Sequence, residues 1–211
     1  MLDTLFHIYK KIDPDIRYNF SNTTATQDEL WEVENKLGQP IPPSLRKTFM
    51  GFSNSIELIA CMPEDFVNQL PRTLRGIGFA DIKISISELV TAERSRKGWV
   101  EGCFNNVSDP YDKVWHNKLG FITVDNGDVI AFDLCDPKED KQVIYLSHDD
   151  GDAHGYVLGK NFGDFFTKYL LIGACGREWW GVLPFINDAT SGIDPYCDNA
   201  KMYREIIGLQ W

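Results

Sequence analysis

Apolar residues recur along this chain in two alternating rhythms, one with helical spacing and one with strand spacing. In residues 2–12, Leu5, Ile8 and Ile12 fall on one face, and Pro14 ends the pattern, which predicts a first helix. Residues 18–24 are polar and read as a loop. Thr26 and Glu29 have the spacing of a capping box, in which hydroxyl and carboxylate satisfy each other's free backbone donors. Leu30, Val33 and Leu37 continue that helix until Gly38 and Pro40 stop it. Pro42 and Pro43 are tolerated only in a first turn and so open a short helix with Leu45, Phe49 and Met50 inward. Residues 52–55 are a turn, and Ile56-Glu57-Leu58 is a strand.

Residues 61–78 carry Pro63, Pro71, Gly76 and Gly78 with weak periodicity, and read as an inserted loop or short helical excursion. Ile82, Ile84 and Ile86 alternate with polar residues, as in a half-buried strand. Ser85 and Glu88 then suggest a second capping box, for a helix reaching about Lys97 with Leu89 and Val90 inward. Residues 99–115 read as a polar connection studded with aromatics. After it, 120–124 and 129–134 are apolar runs joined by Asp125-Asn126-Gly127-Asp128, where Asn-Gly signals a hairpin because both residues tolerate positive φ. A charged turn over 136–141, strands over 142–147 and 156–158, and a helix over 161–171 capped by Asn161 follow. The tail, 172–211, is rich in Gly and aromatics and ends in a helix over about 199–207. The predicted fold class is α+β, with helices packed against a largely antiparallel sheet.

Composition narrows the function. The net charge is −10, and residues 119–171 carry ten Asp/Glu against four Lys/Arg. Phosphate contact needs clustered Lys/Arg, so direct nucleic-acid binding is not expected. No apolar run approaches the roughly 20 residues of a membrane helix. The N-terminus has Asp3 before its apolar residues and Lys10 and Lys11 after them, the reverse of a secretory signal. Five scattered Cys without a Cys-x-x-Cys pair read as reduced thiols. These features together describe a cytoplasmic chain.

Candidate chemistry is sparse. His148-Asp149-Asp150-Gly151-Asp152-Ala153-His154 offers five possible metal ligands but matches neither a calcium loop nor a helical zinc motif. It is read as a partner contact or a solvated turn before a metal site, and a metal-dependent hydrolase built on 148–154 is the third-ranked function. Asp125, Asp128 and Asp133 form a second acidic set, in which Asp133 suits a structural hydrogen-bonding role. No Gly-x-Ser-x-Gly elbow or phosphate loop is present, and Gly76-Ile77-Gly78 reads as a loop. Trp179-Trp180 suits either an exposed interface anchor or a pair of rings buried by the folded tail.

An ordered set of motifs resembles the SUKH superfamily, which includes the fungal Smi/Knr cell-wall regulators and many bacterial immunity proteins. Glu34, Leu37, Gly38 and Ile41-Pro42 resemble its first helix motif, and Leu45, Phe49 and Asn54 the second helix and its turn. Trp115, the 120–124 strand, the 125–128 turn and Ala131-Phe132-Asp133-Leu134 resemble its central hairpin. Residues 143–148 resemble the next strand, and 162–170 the closing helix. The resemblance covers 26–171. It departs at Asn54, which is followed by Ser55 rather than Gly, at the 61–78 insertion, and after Leu171, where 172–211 stands as a C-terminal extension of a single 1–211 domain.

The resemblance implies a non-enzymatic protein-binding module without cofactor or metal. Its expected role is a cytoplasmic immunity protein that occludes a cognate toxin, a nuclease for instance, through a basic toxin domain. A regulatory scaffold in cell-wall or stress signalling is the alternative. The candidate partner-binding residues are Asp125, Asp128, Asp149, Asp150 and Asp152, because an acidic inhibitor is steered into a basic cleft.

Overall fold

The computed structural model describes residues 1–210; Trp211, the last residue of the tail, lies outside the described residues. Helix α1 (Leu2–Ile12) leads through β1 (Arg17–Phe20) to α2 (Gln27–Leu37) and α3 (Pro43–Gly51). Then come β2 (Ser55–Cys61), α4 (Glu64–Gln69), β3 (Phe79–Ser85), α5 (Leu89–Gly102) and α6 (Pro110–Trp115). Strands β4 (Lys118–Thr123), β5 (Val129–Asp133), β6 (Val143–Leu146) and β7 (Val157–Gly159) precede α7 (Phe162–Leu171), α8 (Trp179–Val182) and α9 (Asp198–Ile207). The class is α+β. The strands divide into two antiparallel sheets, β1-β2-β3 and β4-β5-β6-β7.

Local signals explain most boundaries. Thr26 accepts from the Glu29 N–H at 3.2 Å while the Glu29 carboxylate accepts from the Thr26 N–H at 2.7 Å, so the capping box forms as predicted. Gly38 ends α2 at φ 74°, a conformation that disfavours any side chain with a Cβ. Asn161 caps α7 by accepting from the Asp164 N–H at 2.8 Å.

Five expectations change. The segment 18–24 begins within β1, a short edge strand paired with β2. Met50 faces outward, 41% exposed, while Leu45 and Phe49 are buried. Ser85 caps a single 3-10 turn by accepting from the Ser87 N–H at 3.3 Å, so no capping box with Glu88 forms. Helix α5 runs on to Gly102, and the polar connection contains α6. In the β4–β5 turn only Gly127 has positive φ, 104°; Asn126 instead uses its side chain.

The larger core runs from Leu2 to Leu209 and includes Leu70, Leu74 and Ile77 of the 61–78 segment. A smaller core, Trp115, Val129, Ala131, Ile144 and Leu146, fills the other face of the second sheet. Helix α5 lies so close on β4 that a Cβ on Gly120 would stand 2.8 Å from the Ala92 carbonyl oxygen. Buried Glu93 accepts from the Gly120 N–H at 2.8 Å and is paired with Arg96 at 2.8 Å, which donates to the Trp115 carbonyl at 2.7 Å. Asp133 has the structural role expected of it. Burial pushes its carboxyl up, but Lys118 at 3.0 Å and the Cys135 N–H outweigh that and hold it below the usual carboxylate range. No helix among the described residues is long and apolar enough to cross a membrane.

Candidate functional site

The β4–β5 turn and the 147–155 loop meet at one end of the second sheet, and Asp128 joins them. The turn closes through Val124 N–H to the Asp128 carbonyl and Gly127 N–H to the Val124 carbonyl, both at 2.9 Å. Asn126 accepts from the Asp128 N–H at 3.0 Å and donates to the Asp128 carboxylate at 2.8 Å. That carboxylate is fully buried. It also accepts from the Tyr145 hydroxyl at 2.7 Å, the His148 N–H at 2.8 Å and His148 Nδ1 at 2.7 Å. A buried charge is tolerated only when its lone pairs are filled in this way. Burial, and then the Asp128 charge, push the Tyr145 hydroxyl well above its ordinary value, so it stays a donor. Trp99 on α5 packs at a tilt against the His148 ring, centroids 4.7 Å apart, and donates to the Gly127 carbonyl at 2.8 Å.

The 147–155 loop is fixed just as tightly. Buried Ser147 donates its hydroxyl to Asp149 at 2.7 Å and accepts from the Gly151 N–H at 3.0 Å. The Ser147 N–H points at His154 Nδ1, 3.0 Å away, so that nitrogen is an acceptor, and Nε2–H donates to the Tyr111 carbonyl at 3.1 Å. The His154 imidazole is therefore neutral, and burial lowers its proton affinity. Tyr111 on α6 stacks on His154 at 3.8 Å and donates to the Ser147 carbonyl at 2.5 Å. Its hydroxyl also accepts from the Asp150 N–H at 3.0 Å, holding Asp150 at φ 60°. A Cβ at Gly151 would meet Ser147 Oγ at 2.5 Å and Trp179 at 2.7 Å, so only glycine fits there.

These bonds bear on the metal reading of 148–154. Asp128, His148 and Asp149 bring ligand atoms within 4.8 Å of one another. The Asp128 oxygens and His148 Nδ1 are engaged with each other, however, and both nitrogens of His154 serve the backbone. In this arrangement the cluster holds two loops in register.

The structure sorts the five candidate aspartates. Asp149, Asp150 and Asp152 are exposed on the loop. The Asp125 side chain is 85% exposed, with Arg177 at 3.4 Å. Asp128 is corrected: its carboxylate is buried and filled, so it shapes the surface without being part of it. Four carboxylates thus stand on a ledge built by a fifth. Sequence reasoning did not single out Trp99, Tyr111 and Arg177, which hold this ledge. Their only signal was aromatic or basic character inside stretches read as connection or tail. Of the tail pair, Trp179 is packed against the core and Trp180 is 38% exposed.

A family model described as SMI1 / KNR4 family (SUKH-1) matches residues 24–168, a span that includes six of the seven strands and the whole ledge apart from Arg177. A search of curated proteins finds no match. The β4–β5 hairpin and the capped start of α7 lie inside the matched span, which covers more than half of the chain. On that ground the protein belongs to the SMI1 / KNR4 family (SUKH-1).

Proposed function

We propose that this chain is a non-enzymatic immunity-type module that acts in the cytoplasm and binds a basic toxin domain through Asp125, Asp149, Asp150 and Asp152. The observation that carries the reading is the preorganised ledge: exposed carboxylates on two loops clamped together by buried Asp128 and Ser147 and half-buried His148 and His154. A rigid acidic surface loses little entropy on binding and steers a cationic partner during encounter. Membership of a family of immunity-type and Smi/Knr-type modules supports binding over turnover.

The test uses the protein encoded beside this chain's gene, purified as an inactive toxin variant. Replacing Asp149, Asp150 and Asp152 together with Asn is expected to slow association roughly tenfold at low salt and leave dissociation nearly unchanged. The melting temperature should stay close to the parent's, because exposed substitutions change stability by about 0.5 kcal/mol or less. Failure to bind that protein, or an association rate indifferent to the three charges, would falsify the proposal.

A further inference from the structure

A cavity of about 730 Å³ lies at the opposite end of β5 and β6 from the ledge. Strand β5 begins next to Asp128 and ends next to Leu134, which lines the cavity. A five-residue strand spans roughly 16 Å, which sets the separation of the two sites. One wall is the proline-rich entry to α3, including Pro42 and Pro43, and the α3 residues Lys47 and Met50. The other wall is Leu134 with Lys141 from the charged turn.

Several of these residues, among them Pro43, Lys47 and Met50, are exposed, so the cavity is an open trough rather than an enclosed pocket. Small-molecule sites enclose most of their ligand, whereas a trough of this kind suits a polypeptide segment. The proline wall is already rigid, and Met50, 41% exposed, offers a thioether that adapts to varied apolar side chains.

The charge on the trough is opposite to that of the chain as a whole. Arg46 is paired with Glu34. Lys141 donates to the uncharged backbone carbonyl of Asp136 at 2.6 Å, and the Lys47 side chain has no hydrogen bond or ion pair among the described residues. Glu139 is the one carboxylate on the lining. The acidic groups behind it, Asp136 and Asp140, are turned onto the backbone N–H groups of Lys138, Gln142 and Ser44 and onto the Ser44 hydroxyl. The geometry points to a second docking site, for a segment of a partner protein that carries a bulky aliphatic or aromatic side chain flanked by Asp or Glu. The apolar residue enters between Pro42, Met50 and Leu134, and the carboxylates meet Lys47 and Lys141 on the two rims. This site is independent of the ledge, and one chain could hold a basic and an acidic partner at once.

A random dodecapeptide phage library panned on the intact protein tests it, with a Lys47→Glu/Met50→Glu variant panned in parallel. Both positions are exposed and outside the core, and circular dichroism and the melting temperature check that the variant is folded. The expected result is enrichment of acidic peptides with an apolar residue on the parent only. A synthetic peptide from that pool should bind at least roughly tenfold more weakly to Lys47→Glu, and equally well to the Asp149/Asp150/Asp152→Asn protein. No enrichment over the variant, or enrichment of basic or uncharged peptides, overturns the proposal. So does sedimentation showing a dimer of this chain that Lys47→Glu dissolves, because a second copy would then occupy the trough.

Discussion

His154 shows how geometry fixes a protonation state. Its Nδ1 accepts from a backbone N–H, which has no alternative role, so a proton there would set donor against donor. Burial is the largest influence and lowers the pKa, while Asp128 and Asp150 pull more weakly the other way. A base whose folded pKa is depressed contributes stability in full above its unfolded value, near 6.5. As pH falls below that value the unfolded chain takes up its proton first, and the contribution is lost through the folded pKa. Urea midpoints should therefore drop between about pH 7 and pH 5, and more steeply for the parent than for His154→Gln. Gln keeps one acceptor and one donor but does not titrate. Asp81 and Glu178, which burial pushes above the usual carboxylate range, act with the opposite sign at lower pH, and the comparison with His154→Gln removes them. Parallel midpoint curves would mean that His154 does not carry this linkage.

Among the elements, α5 on β4 is the contact most sensitive to a single atom. Adding a methyl at Gly120 presses it against the Ala92 carbonyl, and backbone cannot swing away as a side-chain tip can. Overpacking of this kind costs about 1–3 kcal/mol, so Gly120→Ala should lower the urea midpoint by a corresponding amount. Gly98, exposed in the same helix with nothing within 4 Å of its would-be Cβ, should do the reverse: Gly98→Ala gains about 0.5–1 kcal/mol from helix propensity. If both substitutions shift stability the same way, close packing is not what requires glycine at 120. The same helix shows what a sequence hides. Its inward residues are Leu89, Ala92, Glu93 and Arg96, at perfect helical spacing, but half of them are charged. Apolar periodicity fades after Leu89, and the element reads as ending near Lys97. Strand β1 is missed because an edge strand of four residues buries little and its alternation is weak. Helices α2 and α7 were legible because their caps are local, and the β4–β5 hairpin because Gly127 supplies a backbone conformation within the turn itself. At the site, Asp128 and Asp149 look alike in sequence. Only the arrival of Tyr145 and the 148 backbone makes one an internal anchor and leaves the other on the surface.

For the molecule as a whole, the question is whether the segment beyond the family match is part of one cooperative unit. Ala174, Cys175, Val182, Phe185, Tyr203 and Leu209 lie in the same core as Leu5 and Tyr9. The Tyr9 hydroxyl donates to the Gly173 carbonyl at 2.5 Å, so the two ends of the chain that flank the matched span meet each other. Arg177 ties the tail to both sheets: it pairs with Asp81 on β3 at 2.5 Å and donates to the Thr123 carbonyl on β4 at 2.7 Å. It also reaches Asp125, and so sets one edge of the ledge. Removing one partner of a buried ion pair leaves a buried charge uncompensated, which costs about 3–5 kcal/mol. Arg177→Ala should therefore lower unfolding free energy by about 3 kcal/mol at neutral pH. Burial already raises the Asp81 pKa, and with Arg177 gone the folded state takes up a proton there more readily than the unfolded chain does. The loss should accordingly shrink as pH falls toward 5. Tryptophan fluorescence, which reports Trp31, Trp99 and Trp115 in the matched span and Trp179, Trp180 and Trp211 beyond it, should trace the same single urea transition as far-UV circular dichroism. An earlier, separate transition confined to the tail, with the matched span unaffected by Arg177→Ala, would make residues 172–210 an appendage on an autonomous SUKH-1 domain.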